Sequence, residues 1–247
     1  KGTRMKEETE FKPKPMVEVG GRPLLWHIMK IYSHHGFKDF VLALGYKSNM
    51  IKDYFLNHRA MTNDFTLRPL KGAVDFHENN HDDFKITFAD TGEETLTGGR
   101  ILRLKKYLKG DENFMATYGD GVADIDLPRL VDFHLKMGKT ATITAVRTNS
   151  KYGVVEFEPS LAVATNFVQK GLMDSYINGG FMVFSKKVFD YLKEDSLEDA
   201  FTRLIKDGEL AVFCHDSFWK AVDTYQELEE LQKLWHDSRP WAVWKGA

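Results

Sequence analysis

The stretch Phe114-Met115-Ala116-Thr117-Tyr118-Gly119-Asp120-Gly121 joins a short apolar segment to a turn in which an acid lies between two glycines. Residues 114–118 predict a buried strand, and the glycines predict its end. Open α/β sheets bind their ligands at the carboxyl ends of the strands. Asp120 is therefore a candidate ligand for a hard cation, although an isolated Gly-Asp-Gly is more often only a turn.

Strand-like and helix-like segments alternate on both sides of this stretch, through the first two thirds of the chain. Asp126, for example, can cap a helix that has Pro128 in its first turn and Gly138 after its end. Such alternation is typical of an α/β fold in which a mainly parallel, Rossmann-like sheet is flanked by helices. The other predicted helices lie at 24–31, 50–55 (a short one), 98–108, 197–205 and 224–235, and the other strands at 40–44, 86–89, 141–146 and 210–214.

The pattern changes between about residues 152 and 184, where strand-like segments follow one another without intervening helices. These segments are 154–157, 166–168 and 176–184. They predict a small antiparallel β addition to the sheet, of a kind that can cover a ligand.

Basic residues lie next to a glycine turn within the first sixteen positions. Lys1-Gly2-Thr3-Arg4 is followed, after an acidic spacer, by Lys12-Pro13-Lys14-Pro15-Met16. Glycine lets backbone N–H groups approach phosphate oxygens, arginine offers a planar fork of donors, and lysine offers a compact charge. The flanking prolines predict that Lys14 projects from a rigid extended segment. Because residue 1 is preceded by no initiator Met and no strand, we expect the first turn of a glycine-rich loop to lie before it.

Asp223 is a second candidate metal ligand. The segment Thr224-Tyr225-Gln226-Glu227 has capping-box spacing, so the last helix should begin at Thr224 with Asp223 just outside it. Asp223 can equally be an acid that interacts favourably with the helix dipole. Mg²⁺ usually takes one or two protein carboxylates and completes its octahedron with phosphates and water. One Asp from each of two distant turns would therefore suffice.

The composition limits the classes of partner. Formal charge is −2, from 34 basic and 36 acidic residues, which indicates neither a nucleic-acid surface nor an anionic membrane as partner. The single cysteine, Cys214, cannot form an internal disulfide, and no apolar run in the sequence reaches spanning length. We therefore expect a cytoplasmic enzyme. Cys214 falls in an apolar predicted strand, where we expect a buried and inert thiol.

The segment His77-Glu78-Asn79-Asn80-His81 matches the zinc-protease pattern His-Glu-x-x-His. That motif needs a stable helix that brings both imidazoles to one face, whereas Asn79-Asn80 and Asp82-Asp83 favour a turn. A solvated loop is the better interpretation, and a metalloprotease is a remote alternative.

Five motifs, taken in order, resemble those of the sugar-1-phosphate nucleotidyltransferases. They are Gly-Thr-Arg (2–4), Lys-Pro-Lys-Pro-Met-Val-Glu-Val-Gly-Gly (12–21), Thr-Gly-Gly-Arg (97–100), Tyr-Gly-Asp-Gly-Val-Ala-Asp (118–124) and Ile-Asn-Gly-Gly-Phe (177–181). The resemblance covers essentially the whole chain. It implies a nucleotidyltransferase or GT-A-like fold in one domain, 1–247, with a nucleotide-binding core at about 1–150. Residues from about 151 to 247 would bind the sugar phosphate and contribute C-terminal helical and oligomerisation contacts.

The resemblance also implies a role for each candidate residue. Gly2, Thr3 and Arg4 would end the glycine-rich loop around the nucleoside triphosphate, and Lys14 would contact its phosphates. Further nucleotide-binding residues would be Thr95, Arg100 and Gly119. Asp120 and Asp223 would hold Mg²⁺, and the sugar phosphate would contact Gln169, Lys170, Asn178 and Gly179. Gln169 stands where related enzymes usually carry Glu, so this position supplies no negative charge.

The resemblance is strongest to members that transfer a cytidylyl group from CTP to α-D-glucose 1-phosphate, for bacterial dideoxysugar and O-antigen synthesis. Arg4, Lys14, Asp120 and Asp223 would then be catalytic, in a homo-oligomer for which the family suggests a hexamer. Three alternatives remain: UTP or dTTP with another sugar 1-phosphate, a glycosyltransferase that uses Asp124-Ile125-Asp126 for its metal, and a nucleotide-binding regulator without turnover.

Overall fold

The computed structural model describes residues 12–77, 82–108, 110, 112–148, 153–158, 163–169 and 176–244, with only the backbone described for 153–158 and 163–169. The α-helices of these residues are α1 (Leu24–His34), α2 (Ser48–Thr62), α3 (Thr97–Leu104), α4 (Leu127–Met137), α5 (Leu197–Lys206) and α6 (Tyr225–Asp237). Their strands are β1 (Glu18–Val19), β2 (Arg22–Pro23), β3 (Asp39–Leu44), β4 (Phe65–Arg68), β5 (Ala73–Phe76), β6 (Lys85–Asp90), β7 (Asn113–Thr117), β8 (Gly121–Ala123), β9 (Ala141–Val146), β10 (Gly153–Glu158), β11 (Val163–Gln169), β12 (Ile177–Ser185), β13 (Leu210–His215) and β14 (Trp219–Ala221).

A four-stranded sheet in the order β13-β9-β12-β7 lies at the centre of the described residues. β13 runs parallel to β9, whereas β12 runs antiparallel to both β9 and β7. β3 and β6 form a separate parallel pair. Helices alternate with these strands along the chain, so the predicted α/β class is confirmed.

One part of the predicted antiparallel addition is wrong. β10 and β11 do form an antiparallel hairpin. However, the segment predicted at 176–184 is β12, which lies between β9 and β7 in the central sheet. Residues 179–184 are all buried, because a central strand is covered on both faces and shows no alternation of polar and apolar residues.

Other sequence predictions need smaller corrections. Lys14 does not project from an extended segment, since Lys14–Met16 forms a single 3₁₀ turn whose last residue is buried. The helix predicted at 50–55 is part of the fifteen-residue α2, which is largely polar and therefore has a weak apolar period. Cys214 lies in β13 as predicted, but it is exposed rather than buried. The β4–β5 hairpin was not predicted, because all four residues of β4 are exposed.

Local sequence signals do define several helix ends. The carboxylate of Asp126 accepts a hydrogen bond from the backbone of Arg129, and Gly138 ends α4 in the left-handed conformation. Thr224 and Glu227 form the predicted capping box of α6. Both predictions are confirmed. Within the described residues, no helix is long and apolar enough to cross a membrane.

A buried imidazole ties the C-terminal segment to α1. His27 is fully buried, and its Nε2 lies 2.8 Å from the carbonyl oxygen of Val19. Trp241 donates from Nε1 to Nδ1 of His27 at 3.3 Å, and the Trp235 ring packs edge-on at 4.8 Å between centroids. Burial lowers the pKa of His27 from 6.5 to about 4, so this imidazole is neutral in the folded protein at neutral pH.

Candidate active site

The short β8–β14 ladder brings two distant aspartates to the same end of a strand pair. Gly121 in β8 pairs with Ala221 in β14, and the strands are antiparallel. Asp120 precedes its strand and Asp223 follows the other strand by two positions, so both lie beyond the same end of the ladder. A hydrogen bond from the backbone N–H of Val222 to the carbonyl of Asp120, at 2.8 Å, extends the pairing to this point.

The Lys14 turn packs directly on the Gly-Asp-Gly segment. A Cβ atom at Gly119 would lie 2.7 Å from Cγ of Pro15, which is closer than the side chain and the proline ring can approach. Glycine at this position therefore lets the turn settle against the strand end. The nucleotide contact at Gly119 stays a prediction, whereas the structure shows that the residue packs against Pro15.

This packing places the ammonium of Lys14 between the two carboxylates. Lys14 Nζ lies 2.8 Å from Oδ1 of Asp223 and 3.8 Å from Oδ2 of Asp120. The three side chains are about one third to one half exposed, so the ion pairs face the solvent rather than the core. Exposed ion pairs contribute little to stability. The arrangement is therefore better understood as a charged binding site than as a structural element.

The pKa values respond to this proximity. Burial alone would lower the pKa of Lys14, but the hydrogen bond and charge of Asp223, together with Asp120, outweigh it and raise that pKa above its ordinary value. Burial raises the pKa of Asp120, Lys14 opposes this change, and repulsion from Asp223 adds to it. Two carboxylates that repel each other favour a cation between them.

A cavity of about 190 Å³ opens beside the charged groups. Besides Asp120 and Asp223, it is lined by Thr117, Tyr118, Gly121, Asn178, Gly179, Gly180, Trp219 and Ala221. The lining combines polar side chains with the aromatic rings of Tyr118 and Trp219, a combination found in many small-molecule sites. Of the residues predicted to bind sugar phosphate, Asn178 and Gly179 thus lie next to the two aspartates.

The Gly179-Gly180 pair shapes the cavity wall. The pairing of β12 with β9 is irregular between Asn178 and Met182. Gly180 has a φ of +81°, and its backbone N–H donates to Oδ1 of Asn178 at 2.9 Å. The indole N–H of Trp219 donates to the carbonyl of Gly179 at 2.7 Å and fixes the aromatic ring at the cavity edge.

Sequence reasoning missed Tyr118 and Trp219 as lining residues. The hydroxyl of Tyr118 donates to Oε1 of Glu198, at the start of α5, at 2.8 Å. Burial and the neighbouring carboxylate of Glu198 raise the pKa of Tyr118, so the phenol stays protonated. Tyr118 stands directly before Gly119-Asp120 at a strand end, which is a signal that could have identified it. Trp219 becomes a lining residue only through the β8–β14 pairing.

Thr95 and Arg100 do not line this cavity and lie in a second polar cluster, beyond the ends of β3 and β6. Arg100 donates from Nη1 to Oγ1 of Thr91 at 2.8 Å and from Nη2 to the carbonyl of Glu93 at 2.9 Å. The hydroxyl of Thr95 donates to the carbonyl of Thr91 at 2.6 Å. The carboxyl ends of parallel strands are where α/β folds place nucleotide-binding groups.

Several predicted residues cannot be placed. Gly2, Thr3, Arg4 and Lys170 lie outside the described residues, as does the 78–81 part of the His-Glu-x-x-His segment. Gln169 is the last residue of β11 and pairs with Gly153, but its side chain is not described. His77 follows β5, a strand, and its imidazole lies 2.9 Å from the hydroxyl of Thr66.

The donor set around Lys14 fits a hard divalent cation. Carboxylate oxygens are the ligands that Mg²⁺ prefers, and Asp120 and Asp223 already converge on one positive charge. The described residues contain no group of three or more acidic, histidine or cysteine side chains suited to hold a metal. A cation here would therefore depend on ligand oxygens, such as those of a phosphate, to complete its coordination.

The sequence matches the family model described as Nucleotidyl transferase over residues 1–238. It is 46% identical to the probable glucose-1-phosphate cytidylyltransferase of Bacillus subtilis, over 99% of this chain and 96% of that protein. It is 41% identical to the glucose-1-phosphate cytidylyltransferase of Salmonella typhimurium, with the same shares covered. The fold is similar to that of HddC from Yersinia pseudotuberculosis, with a TM-score of 0.68 and 23% identity over 95% of each chain.

Proposed function

The chain belongs to the nucleotidyl transferase family, and on this premise we propose that it transfers a cytidylyl group from CTP to α-D-glucose 1-phosphate. The observation that carries the proposal is the convergence of Lys14, Asp120 and Asp223 beside the cavity. Membership of the family supports nucleotidyl transfer as the reaction. The two cytidylyltransferase relatives, at 46% and 41% identity, support CTP as the donor and glucose 1-phosphate as the acceptor.

In the proposed reaction, a phosphate oxygen of glucose 1-phosphate attacks the α-phosphorus of CTP. A new P–O bond forms, the bond from the α-phosphorus to the bridging oxygen breaks, and pyrophosphate leaves with its electron pair. The attacking phosphate is already a nucleophile, so the protein must mainly position the reactants and shield their charge. No covalent enzyme intermediate is needed.

The residues of the site have distinct proposed tasks. Lys14 stabilises negative charge on the transferred group and on the leaving pyrophosphate, and Arg4 does the same. Asp120 and Asp223 would hold Mg²⁺, which when bound neutralises charge shared by the triphosphate and the incoming phosphate. Asn178, Gly179 and the two aromatic rings of the cavity would hold the sugar phosphate.

Further residues complete the proposed binding surface. Thr95, Arg100, Gly119 and the Gly2-Thr3 pair contribute to nucleotide binding, and Gln169 and Lys170 contribute to sugar-phosphate binding. The division into a nucleotide-binding part at about 1–150 and a sugar-phosphate-binding part at about 151–247 belongs to the same proposal. So does a homo-oligomeric state, which light scattering after size exclusion would test.

Contacts in the described residues disfavour the glycosyltransferase alternative. Its Asp124-Ile125-Asp126 pair would have to leave two carboxylates available for a metal. Oδ2 of Asp124 accepts a hydrogen bond from Ser217 at 2.5 Å, and Oδ1 lies 3.1 Å from Nε2 of His215. Asp126 caps α4. One oxygen of Asp124 and the capping oxygen of Asp126 are thus engaged in local contacts, and neither acid takes part in the Lys14 ion pairs.

The test is a panel of CTP, UTP, dTTP and GTP against glucose 1-phosphate and mannose 1-phosphate, with Mg²⁺ present. Pyrophosphate release would be measured, and the nucleotide sugar identified by mass. We expect CTP with glucose 1-phosphate to give the highest kcat/KM. Transfer from another triphosphate would reassign the base, and binding without turnover would indicate a regulator. In a parallel incubation with CDP-glucose alone, release of free nucleotide would indicate a glycosyltransferase.

A further inference from the structure

Arg103 connects two segments that are far apart in the sequence. From one side of its guanidinium, Nη1 donates to the carbonyl of Thr91 at 2.6 Å and to Oγ1 of Thr95 at 2.7 Å. From the other side, Nε and Nη2 form a fork with the carboxylate of Glu194, at 3.2 and 3.0 Å. Arg103 thus joins the loop after β6 to the segment before α5.

The N-terminus of α3 is fixed to the same segment. α3 has no side-chain cap of its own, and the backbone N–H groups of Gly98 and Gly99 donate to the carbonyl of Asp195 at 3.0 and 3.3 Å. A Cβ atom at Gly98 would lie 2.7 Å from this carbonyl oxygen, and one at Gly99 would lie 2.6 Å from Oε2 of Glu194. The two glycines therefore allow α3 to approach residues 194–196 closely.

The loop held by Arg103 contains Thr95, one of the predicted nucleotide-binding residues, and contacts another, Arg100 of α3. Thr95 receives a hydrogen bond from Arg103 itself, and Arg100 binds to the side chain of Thr91 and the carbonyl of Glu93. Space is also tight at Gly92, whose φ is +89° and where an added Cβ would lie 2.9 Å from Nη1 of Arg103. A change at Arg103 would therefore move residues 91–95 first.

The ion pair between Arg103 and Glu194 is exposed, so an effect on the position of the loop can be distinguished from an effect on folding stability. The side chains of Arg103 and Glu194 are 45% and 56% exposed. An exposed pair contributes little to folding. However, a guanidinium group that is hydrogen-bonded on both sides restricts the relative position of the two segments that it joins.

We propose that Arg103, anchored by Glu194, is a positioning residue that holds Thr95 and Arg100 in place for the nucleoside triphosphate. This inference rests on the proposed function. It adds Arg103 and Glu194, which are 91 positions apart in the sequence, to the residues that support nucleotide binding. It assigns Arg103 no contact with the substrate. Its signature is a weaker affinity for the nucleotide at nearly unchanged affinity for the sugar phosphate.

The experiment compares Arg103→Leu, Arg103→Lys and Glu194→Gln with the wild-type enzyme. The dissociation constant of Mg·CTP is measured by calorimetry without sugar phosphate, alongside KM for both substrates and the thermal midpoint. Arg68→Leu is the matched control, because Arg68 forms an ion pair with Asp75 of similar exposure in the β4–β5 hairpin. If the wild-type enzyme uses another triphosphate better, that triphosphate replaces CTP in the titration.

We expect Arg103→Leu to raise the dissociation constant and KM of the nucleotide about tenfold, the scale of one lost charged contact, with KM for the sugar phosphate within about twofold. Arg103→Lys should keep the charge but lose the fork, so we expect an intermediate effect, and Glu194→Gln a smaller one. A nucleotide dissociation constant within twofold of wild type in Arg103→Leu would overturn the inference. An equal rise in the KM of both substrates, or a lower thermal midpoint as the only change, would also overturn the inference. Failure of the proposed function would instead show as a lack of cytidylyl transfer by the wild-type enzyme in the substrate panel.

Discussion

Lys14 Nζ lies 2.8 Å from Oδ1 of Asp223, although 209 positions separate the two residues. Contacts with distant segments of the chain bring the two residues together. Lys14 depends on the 3₁₀ turn that packs on Gly119, and Asp223 depends on the pairing of β14 with β8. The contact between Lys14 and Asp223 therefore forms only when the tertiary structure brings these distant segments together.

Replacing the lysine with a neutral side chain of similar length should separate charge from packing. We expect Lys14→Met to lower kcat for pyrophosphate release by roughly two to three powers of ten, the scale of losing one preorganised electrostatic contact. Lys12→Met is the control, because Lys12 is an exposed neighbour that pairs with Glu18 at 2.8 Å. Near-normal turnover by Lys14→Met would remove Lys14 from the catalytic residues.

The two interpretations of Asp223 predict different results. If it holds Mg²⁺, Asp223→Asn should raise the Mg²⁺ concentration for half-maximal turnover by at least about tenfold and leave stability almost unchanged. Thr224→Ala removes the actual cap of α6 and should lower the free energy of unfolding by about 1 kcal/mol. Turnover at several Mg²⁺ concentrations and urea unfolding distinguish the two. An unchanged Mg²⁺ dependence in Asp223→Asn would leave this acid with only its role at the helix terminus. As a control, a chelator of divalent cations should stop turnover by the wild-type enzyme.

The close contact between Gly119 and Pro15 can be tested by adding one methyl group. Gly119→Ala would bring Cβ to 2.7 Å from Pro15, so the Lys14 turn must shift. A displacement of this size can reduce turnover on the order of a hundredfold. Gly121→Ala is the comparison, because its Cβ would meet no atom closer than 3.6 Å and should cost at least tenfold less. Equal losses in kcat from the two variants would contradict the packing argument.

Stability should fall in mild acid because of one imidazole. Burial lowers the pKa of His27 from 6.5 to about 4, so the unfolded chain binds a proton that the folded protein excludes. The contribution of His27 to the free energy of unfolding is therefore fully present above pH 6.5 and decreases as the pH falls to about 4, a loss of about 3 kcal/mol.

Urea unfolding at pH 7.5 and pH 4.5 measures this contribution. His27→Gln should lose stability at pH 7.5 but show a smaller difference between the two pH values than the wild type. His77→Gln, at an exposed imidazole, is the control. The same pH difference in His27→Gln and wild type would show that other groups cause the acid sensitivity.

Much of the local structure could be predicted from the sequence, because its signals act over a few residues. The caps at Asp126 and Thr224 and the strand that ends just before the Gly119 turn are of this kind. β12 was misplaced for the opposite reason. Its residues are buried on both faces, and only its partners β9 and β7 show that it is a central strand.

The candidate site divides in the same way. The residue types and motif order predicted Lys14, Asp120, Asp223, Asn178 and Gly179 as site residues. In the structure Lys14 pairs with both aspartates, and the other four residues line one cavity. The family resemblance also pointed to Thr95 and Arg100, but could not show that these lie in a separate cluster that Arg103 contacts. The lining residue Trp219 was also missed, because a strand pairing rather than a motif brings it to the cavity.

The sequence by itself determined the local features of this protein: the acid between two glycines, the lysine between prolines, and the helix caps, all of which depend on neighbours within a few positions. Only the tertiary structure decided which of these groups meet. The register of β8 against β14 brings Asp120 and Asp223 to one end, and the absence of a side chain at Gly119 admits the Lys14 turn. Such contacts depend on strand pairing and close packing between distant segments, which no local pattern specifies.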